Sequence, residues 1–118
     1  MVKTFIAIFI GGGLGSLLRY LISNLFIQNF PYGTLLVNSV GCLFIGLLLG
    51  FAEKQFLNHA SFLFWTVGFC GGFTTFSTFS VENLKFLQNG DYLLFGIYSF
   101  GSLLIGIIFV LMGWRLSC

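Results

Sequence analysis

Four stretches without a single Asp, Glu, Lys or Arg constrain this chain more than any other feature: residues 4–18, 20–52, 55–81 and 92–114. A helix that crosses a bilayer needs roughly 20 consecutive, mostly apolar residues, and four such spans fit if the connections are short. Of the 118 residues only 7% are charged and 58% are hydrophobic, whereas soluble domains carry about 25% charged residues. Such a chain cannot cover a water-facing surface. The expectation is an all-α membrane protein with little or no soluble domain, because a helix satisfies its own backbone inside lipid.

The spans read as residues 4–27, 33–51, 62–86 and 92–114 of a single domain covering residues 1–118. The only proline lies in Asn29-Phe30-Pro31-Tyr32-Gly33, Glu53 to Ala60 is the most polar stretch, and Gln88-Asn89-Gly90-Asp91 is a strong turn signal. Lys3 before an apolar run has the outline of a cleaved leader. The pattern nevertheless continues past GGGLGS through Arg19 to Ile27, so a first span is expected instead. Four spans put both termini on one side. Lys3, Lys54 and Arg115 then fall on that side and Lys85 and Arg19 on the other, three against two. Loop charge sets orientation; with almost no bias, the chain is expected to insert both ways, and two copies can pair antiparallel. Among sixteen glycines, Gly11/Gly15, Gly46/Gly50 and Ser102/Gly106 form small-xxx-small pairs that let helix backbones approach. Spacing alone does not say whether their partners lie within the chain or in a second copy.

Several functions are disfavoured. Cys42 and Cys70 lie in apolar spans, Cys118 is the last residue, and His59 is the only histidine, so a Cys/His metal centre is not expected. GGGLGS departs from G-x-G-x-x-G at Ser16 and follows no predicted strand, which removes a nucleotide site. No catalytic residues and no nucleic-acid partner are expected.

Four features stand out chemically. Arg19 is the one ionised group well inside an apolar span; such a charge either anchors a helix end by snorkelling or draws anions into a vestibule. Asn38, in GTLLVNSVG, must find partners in hydrocarbon. Its amide either bonds a neighbouring helix or donates to an anion without a buried charge. The segment GFCGGFTTFSTFS, residues 68–80, is too rich in glycine and hydroxyl residues for a plain helix. An interruption there frees carbonyl oxygens at membrane depth, a recurrent ion-site device, and hard oxygen ligands suit an alkali cation. Within it Phe76 and Phe79 share a helical face, beside a polar stripe of Thr75, Thr78 and Glu82. Aromatic edges are positive, so edges turned towards a pore favour an anion, although with seventeen phenylalanines packing is the plainer reading. Last, Tyr98 and Ser102 are an i,i+4 pair whose hydroxyls either line a polar track or bond back to their own helix.

GGGLGSLLRY, GTLLVNSVG and GFCGGFTTFSTFS, in that order in a four-span chain of this size, resemble the fluoride channels (Fluc, also called CrcB) along essentially the whole length. The resemblance implies a dual-topology antiparallel homodimer in the bacterial plasma membrane, with the third helix broken and two pores exporting fluoride passively. It implies that Phe76 and Phe79 turn ring edges to fluoride and that Asn38 hydrogen-bonds it. Thr75, Thr78, Tyr98 and Ser102 match its hydroxyl positions, with Gly106 unable to extend that track. Gly71 and Thr74 match the backbone carbonyls that hold a structural sodium ion, which is not transported. The competing reading is a small multidrug-resistance-type proton-coupled exporter. Such exporters depend on a carboxylate in the first helix, where this chain has Arg19 instead and places Glu82 near the end of the third span.

Overall fold

The computed structural model describes residues 1–26 and 28–118, and every regular element in them is helical. Helix α1 spans Val2–Asn24 and α2 spans Tyr32–Glu53. The third segment begins with α3, His59–Leu63, and widens into a π-helical stretch, Phe64–Cys70. It continues as α4, Gly71–Phe73, and then, after two extended residues, as α5, Phe76–Gln88. Helix α6 spans Tyr92–Ser117. Four segments are long and apolar enough to cross a membrane: Val2–Asn24, Tyr32–Glu53, His59–Gln88 and Tyr92–Ser117. They start or end a few residues away from the bounds expected from charge, and the expected end of the first span, Ile27, lies outside the described residues.

Local chemistry explains the ends. The Asn58 carboxamide oxygen accepts from Ser61 N at 2.8 Å and starts α3, as an N-cap does. Helix α5 closes with Gly90 at φ +76°, Asp91 N reaching Phe86 O at 2.8 Å and Gly90 N reaching Leu87 O at 3.2 Å. That left-handed stop suits glycine. Helix α2 ends the same way, with Phe56 N on Phe51 O at 3.1 Å, but the left-handed position is Gln55 at φ 59°.

Packing follows the small residues. A Cβ on Gly11 would strike the Phe64 carbonyl and one on Gly15 the Phe69 carbonyl, so α1 lies directly on the first half of the third segment. Gly46 abuts the Val110 carbonyl, Gly113 the Leu43 carbonyl and Gly50 the Ser117 hydroxyl, which brings α2 and α6 together. Two of the three small-residue pairs therefore work within the chain. The third behaves differently: Ser102 and Gly106 line an open groove between α2, the third segment and α6. At one end of the molecule Phe30, Phe79 and Phe86 surround Tyr98, with ring centroids 5.0–5.9 Å from it.

Candidate functional site

The site is built around Thr74 and Thr75, whose backbones are extended (φ −87°, ψ 158° and φ −149°, ψ 120°) between α4 and α5. Thr74 is tied back, its N–H and its hydroxyl both donating to Cys70 O at 2.9 and 2.8 Å. Thr75 is held from α2. The Asn38 amide accepts from Thr75 N at 2.8 Å and donates to Thr75 O at 3.1 Å, as a neighbouring strand would. One N–H of the Asn38 amide is left over by this clamp. The Thr75 hydroxyl then starts α5, accepting from Thr78 N at 3.2 Å and donating to the Thr78 hydroxyl at 3.1 Å.

In a continuous helix the carbonyls of residues 71–74 would accept from N–H groups four positions on. Here Thr75 N is on Asn38 and Thr78 N is on the Thr75 hydroxyl. Gly72 O receives Arg19 Nε at 2.9 Å. Among the described residues no hydrogen bond reaches the carbonyls of Gly71 or Thr74. Both belong to residues lining the groove, Gly71 exposed and Thr74 half-buried in the single chain. Two unclaimed neutral oxygens, on residues that line one groove, suit a hard cation such as sodium, so the residues fit that ion. One chain supplies only part of a coordination shell.

The groove has a volume of about 1070 Å³. Of the residues singled out from the sequence it gathers Asn38, Gly71, Thr74, Thr75, Phe76, Phe79 and Ser102. Among the described residues no Asp, Glu, Lys, Arg or His side chain lines it. The Phe76 ring is 80% exposed and sits 5.8 Å from that of Phe79. The Ser102 hydroxyl is buried with no hydrogen-bond partner among the described residues. Thr78, Tyr98 and Arg19 do not line the groove. Tyr98 is 1% exposed, its ring lies 5.0 Å from Phe79, and its hydroxyl donates to Glu82.

Glu82 organises the neighbouring helices in a way its sequence position does not announce. Its Oε2 accepts from the Thr34 hydroxyl and its Oε1 from the Tyr98 hydroxyl, each at 2.9 Å, so one carboxylate joins α2, α5 and α6. One residue further, the Ser99 hydroxyl donates to the Asn83 carboxamide at 2.9 Å while Asn83 Nδ2 donates to Phe79 O at 3.0 Å. The signal for Glu82 was available, since an ionisable residue in a span is a functional candidate by default. Thr34, Asn83 and Ser99 carried none.

A family model described as CrcB-like protein, Camphor Resistance (CrcB), matches residues 6–114. A protein of Phocaeicola vulgatus is 45% identical, with 98% of each chain covered. One of Bacteroides fragilis is also 45% identical, over 98% of this chain and 96% of its own. One of Gloeothece citriformis is 44% identical, over 90% and 89% respectively. Each of these relatives is named a fluoride-specific ion channel, FluC. With its four apolar segments and this match along nearly its whole length, the chain is a multi-pass membrane protein and belongs to the CrcB-like family.

Proposed function

We propose that this chain is a fluoride-selective channel that lowers cytoplasmic fluoride by passive efflux, with no catalytic step. The observation that carries the reading is the groove wall: aromatic rings, an amide and hydroxyls, without one ionised side chain among the described residues. Fluoride is small and strongly hydrated, so entry requires substitutes for its water. The spare Asn38 N–H and the unpartnered Ser102 hydroxyl are neutral donors, and Phe76 and Phe79 offer ring edges. Conduction needs binding that is favourable yet easily reversed, and a fixed cation on the wall would hold the ion. A negative interior supplies about 2.3 kcal/mol per 100 mV for each anion expelled.

In this reading the third helix is broken at membrane depth and the channel is an antiparallel homodimer. The groove is open along one side and its wall beyond the polar patch is apolar (Ile45, Leu49, Leu103, Ile107, Val110), a surface that a second copy covers. Two copies bring together four carbonyls, from Gly71 and Thr74 of each, to hold one structural sodium ion. Thr78 and Tyr98 act behind the wall, by supporting Thr75 and Phe79. The exporter alternative is not favoured by Glu82. Both its oxygens are engaged by hydroxyls and it does not line the groove, unlike a carboxylate that loads and releases protons and drug.

The test is fluoride efflux from liposomes carrying the purified protein, followed with a fluoride electrode. Native protein is expected to release fluoride, and Phe76→Ile and Phe79→Ile to slow the release while the dimer stays assembled. Unchanged flux in both variants would remove the rings from the pore.

A further inference from the structure

The irregular segment involves the four carbonyls of residues 71–74, and among them only that of Gly72 meets a positive side chain. Arg19 comes from the last third of α1 and donates Nε–H to Gly72 O at 2.9 Å. Gly72 packs so closely on α1 that a Cβ would strike the Gly12 carbonyl, which keeps this stretch beside the helix that carries Arg19. Gly71 and Thr74, before and after it, line the groove, and their carbonyls are unclaimed among the described residues. We infer that Arg19 is a positioning residue that sorts these carbonyls: by taking the one at Gly72, it holds the segment with the oxygens of Gly71 and Thr74 left free for a cation. This gives Arg19 a structural task besides anchoring a helix end or attracting anions, and it deepens the reading in which Gly71 and Thr74 hold sodium.

The chemistry is specific to the donor. What fixes the Gly72 carbonyl is an N–H donor at hydrogen-bonding distance, which an uncharged amide of the same reach can also supply. Ser16 also points at Gly72 O, but at 3.5 Å its hydroxyl is at the limit of hydrogen bonding and does not replace Arg19. Without the Arg19 bond the Gly72 carbonyl competes for whatever donor or cation is near, and the segment can turn the Gly71 oxygen out of the groove.

Glutamine and methionine separate donor from charge. The Gln side-chain nitrogen is as many bonds from the backbone as Arg Nε, so Arg19→Gln keeps a donor in place and removes the charge. Arg19→Met keeps the reach and removes both. The assay is the thermal stability of the detergent-purified protein, read by the fluorescence of Trp65 and Trp114, against sodium concentration with N-methyl-D-glucamine as replacement. Native protein is expected to gain stability with sodium. Arg19→Met should need about tenfold more sodium for the same gain, the size expected for one lost hydrogen bond. Arg19→Gln should need no more than native. Equal shifts in both variants would assign the effect to charge, and native behaviour in Arg19→Met would show no role in the site; either overturns the inference. If Arg19→Met does not fold, Arg19→Gln decides alone, an unshifted sodium midpoint supporting the hydrogen bond and a shifted one overturning it. A native protein indifferent to sodium overturns the sodium reading itself, and the Arg19 role with it.

Discussion

Replacing Asn38 with Leu removes the clamp on Thr75 while keeping side-chain volume close to native. Two bonds are lost, the one Thr75 N donates at 2.8 Å and the one its carbonyl accepts at 3.1 Å. Neither group has a substitute within the helix, because Thr75 lies outside both α4 and α5. A buried backbone group left without a partner costs about 1–3 kcal/mol. Thr75 borders the groove, where water reaches part of it, so the two together are expected to cost about 2–4 kcal/mol. The consequence for function is larger than the lost bonds alone suggest, since Thr75 also starts α5 and so aims Phe76 and Phe79. We expect Asn38→Leu to lower the unfolding free energy by that amount in mixed micelles and to cut fluoride efflux at least about tenfold, a change worth about 1.4 kcal/mol on a barrier. Asn38→Asp keeps the acceptor for Thr75 N and loses the donor, so it should recover part of the stability but none of the flux, because it puts a negative charge on the wall. A Leu variant that loses flux with native stability would refute the clamp and leave Asn38 as an anion ligand only. Native stability with native flux would refute both roles.

Other substitutions test other parts of the account. Gly113→Val drives a side chain into the Leu43 carbonyl and should cost about 1–3 kcal/mol by prising α6 from α2, visible as loss of monodisperse protein on gel filtration. Gln55→Gly relieves the left-handed turn after α2 (φ 59°) and should stabilise by about 1 kcal/mol in thermal unfolding without changing flux. Tyr98→Phe takes the hydroxyl from Glu82 Oε1; it leaves an engaged carboxylate short of a donor, costs about 1–3 kcal/mol, and should slow efflux by loosening the packing behind Phe79. Thr34→Val does the same to Oε2, and the double variant should fall short of the sum of the two, because both act through one carboxylate.

The charge-free runs made the four crossing segments legible, because their length and apolarity leave few alternatives in water or lipid. Their ends were less legible: α2 runs on through Glu53, since the helix stops at a left-handed turn on Gln55 rather than at the first charge. The composition of residues 68–80 signalled an irregular segment, but nothing local places the extended pair at Thr74 and Thr75. That depends on Asn38 and Arg19, which lie 37 and 53 residues away from their partners in the chain. The π-helical stretch Phe64–Cys70 begins before the glycine-rich segment and overlaps its first three residues, and no composition rule marks it. Small-residue spacing found the close contacts without naming partners, and the structure divides them, Gly11/Gly15 and Gly46/Gly50 packing within the chain and Ser102/Gly106 lining the groove. Tyr98 and Ser102 looked equivalent as an i,i+4 pair. In the structure the first hydroxyl turns to Glu82 and the second is unpartnered beside the groove, a difference set by Phe30, Phe79 and Phe86 packing around the Tyr98 ring.

The central claim is passive, selective movement of fluoride past neutral donors, and the reversal potential of currents through planar bilayers tests it most directly. With fluoride unequal across the membrane and chloride equal, the account predicts a current whose reversal follows the fluoride gradient and does not move when chloride or pH is changed. A reversal potential that follows chloride, or fluoride movement that is electrically silent and requires a proton gradient, would contradict it.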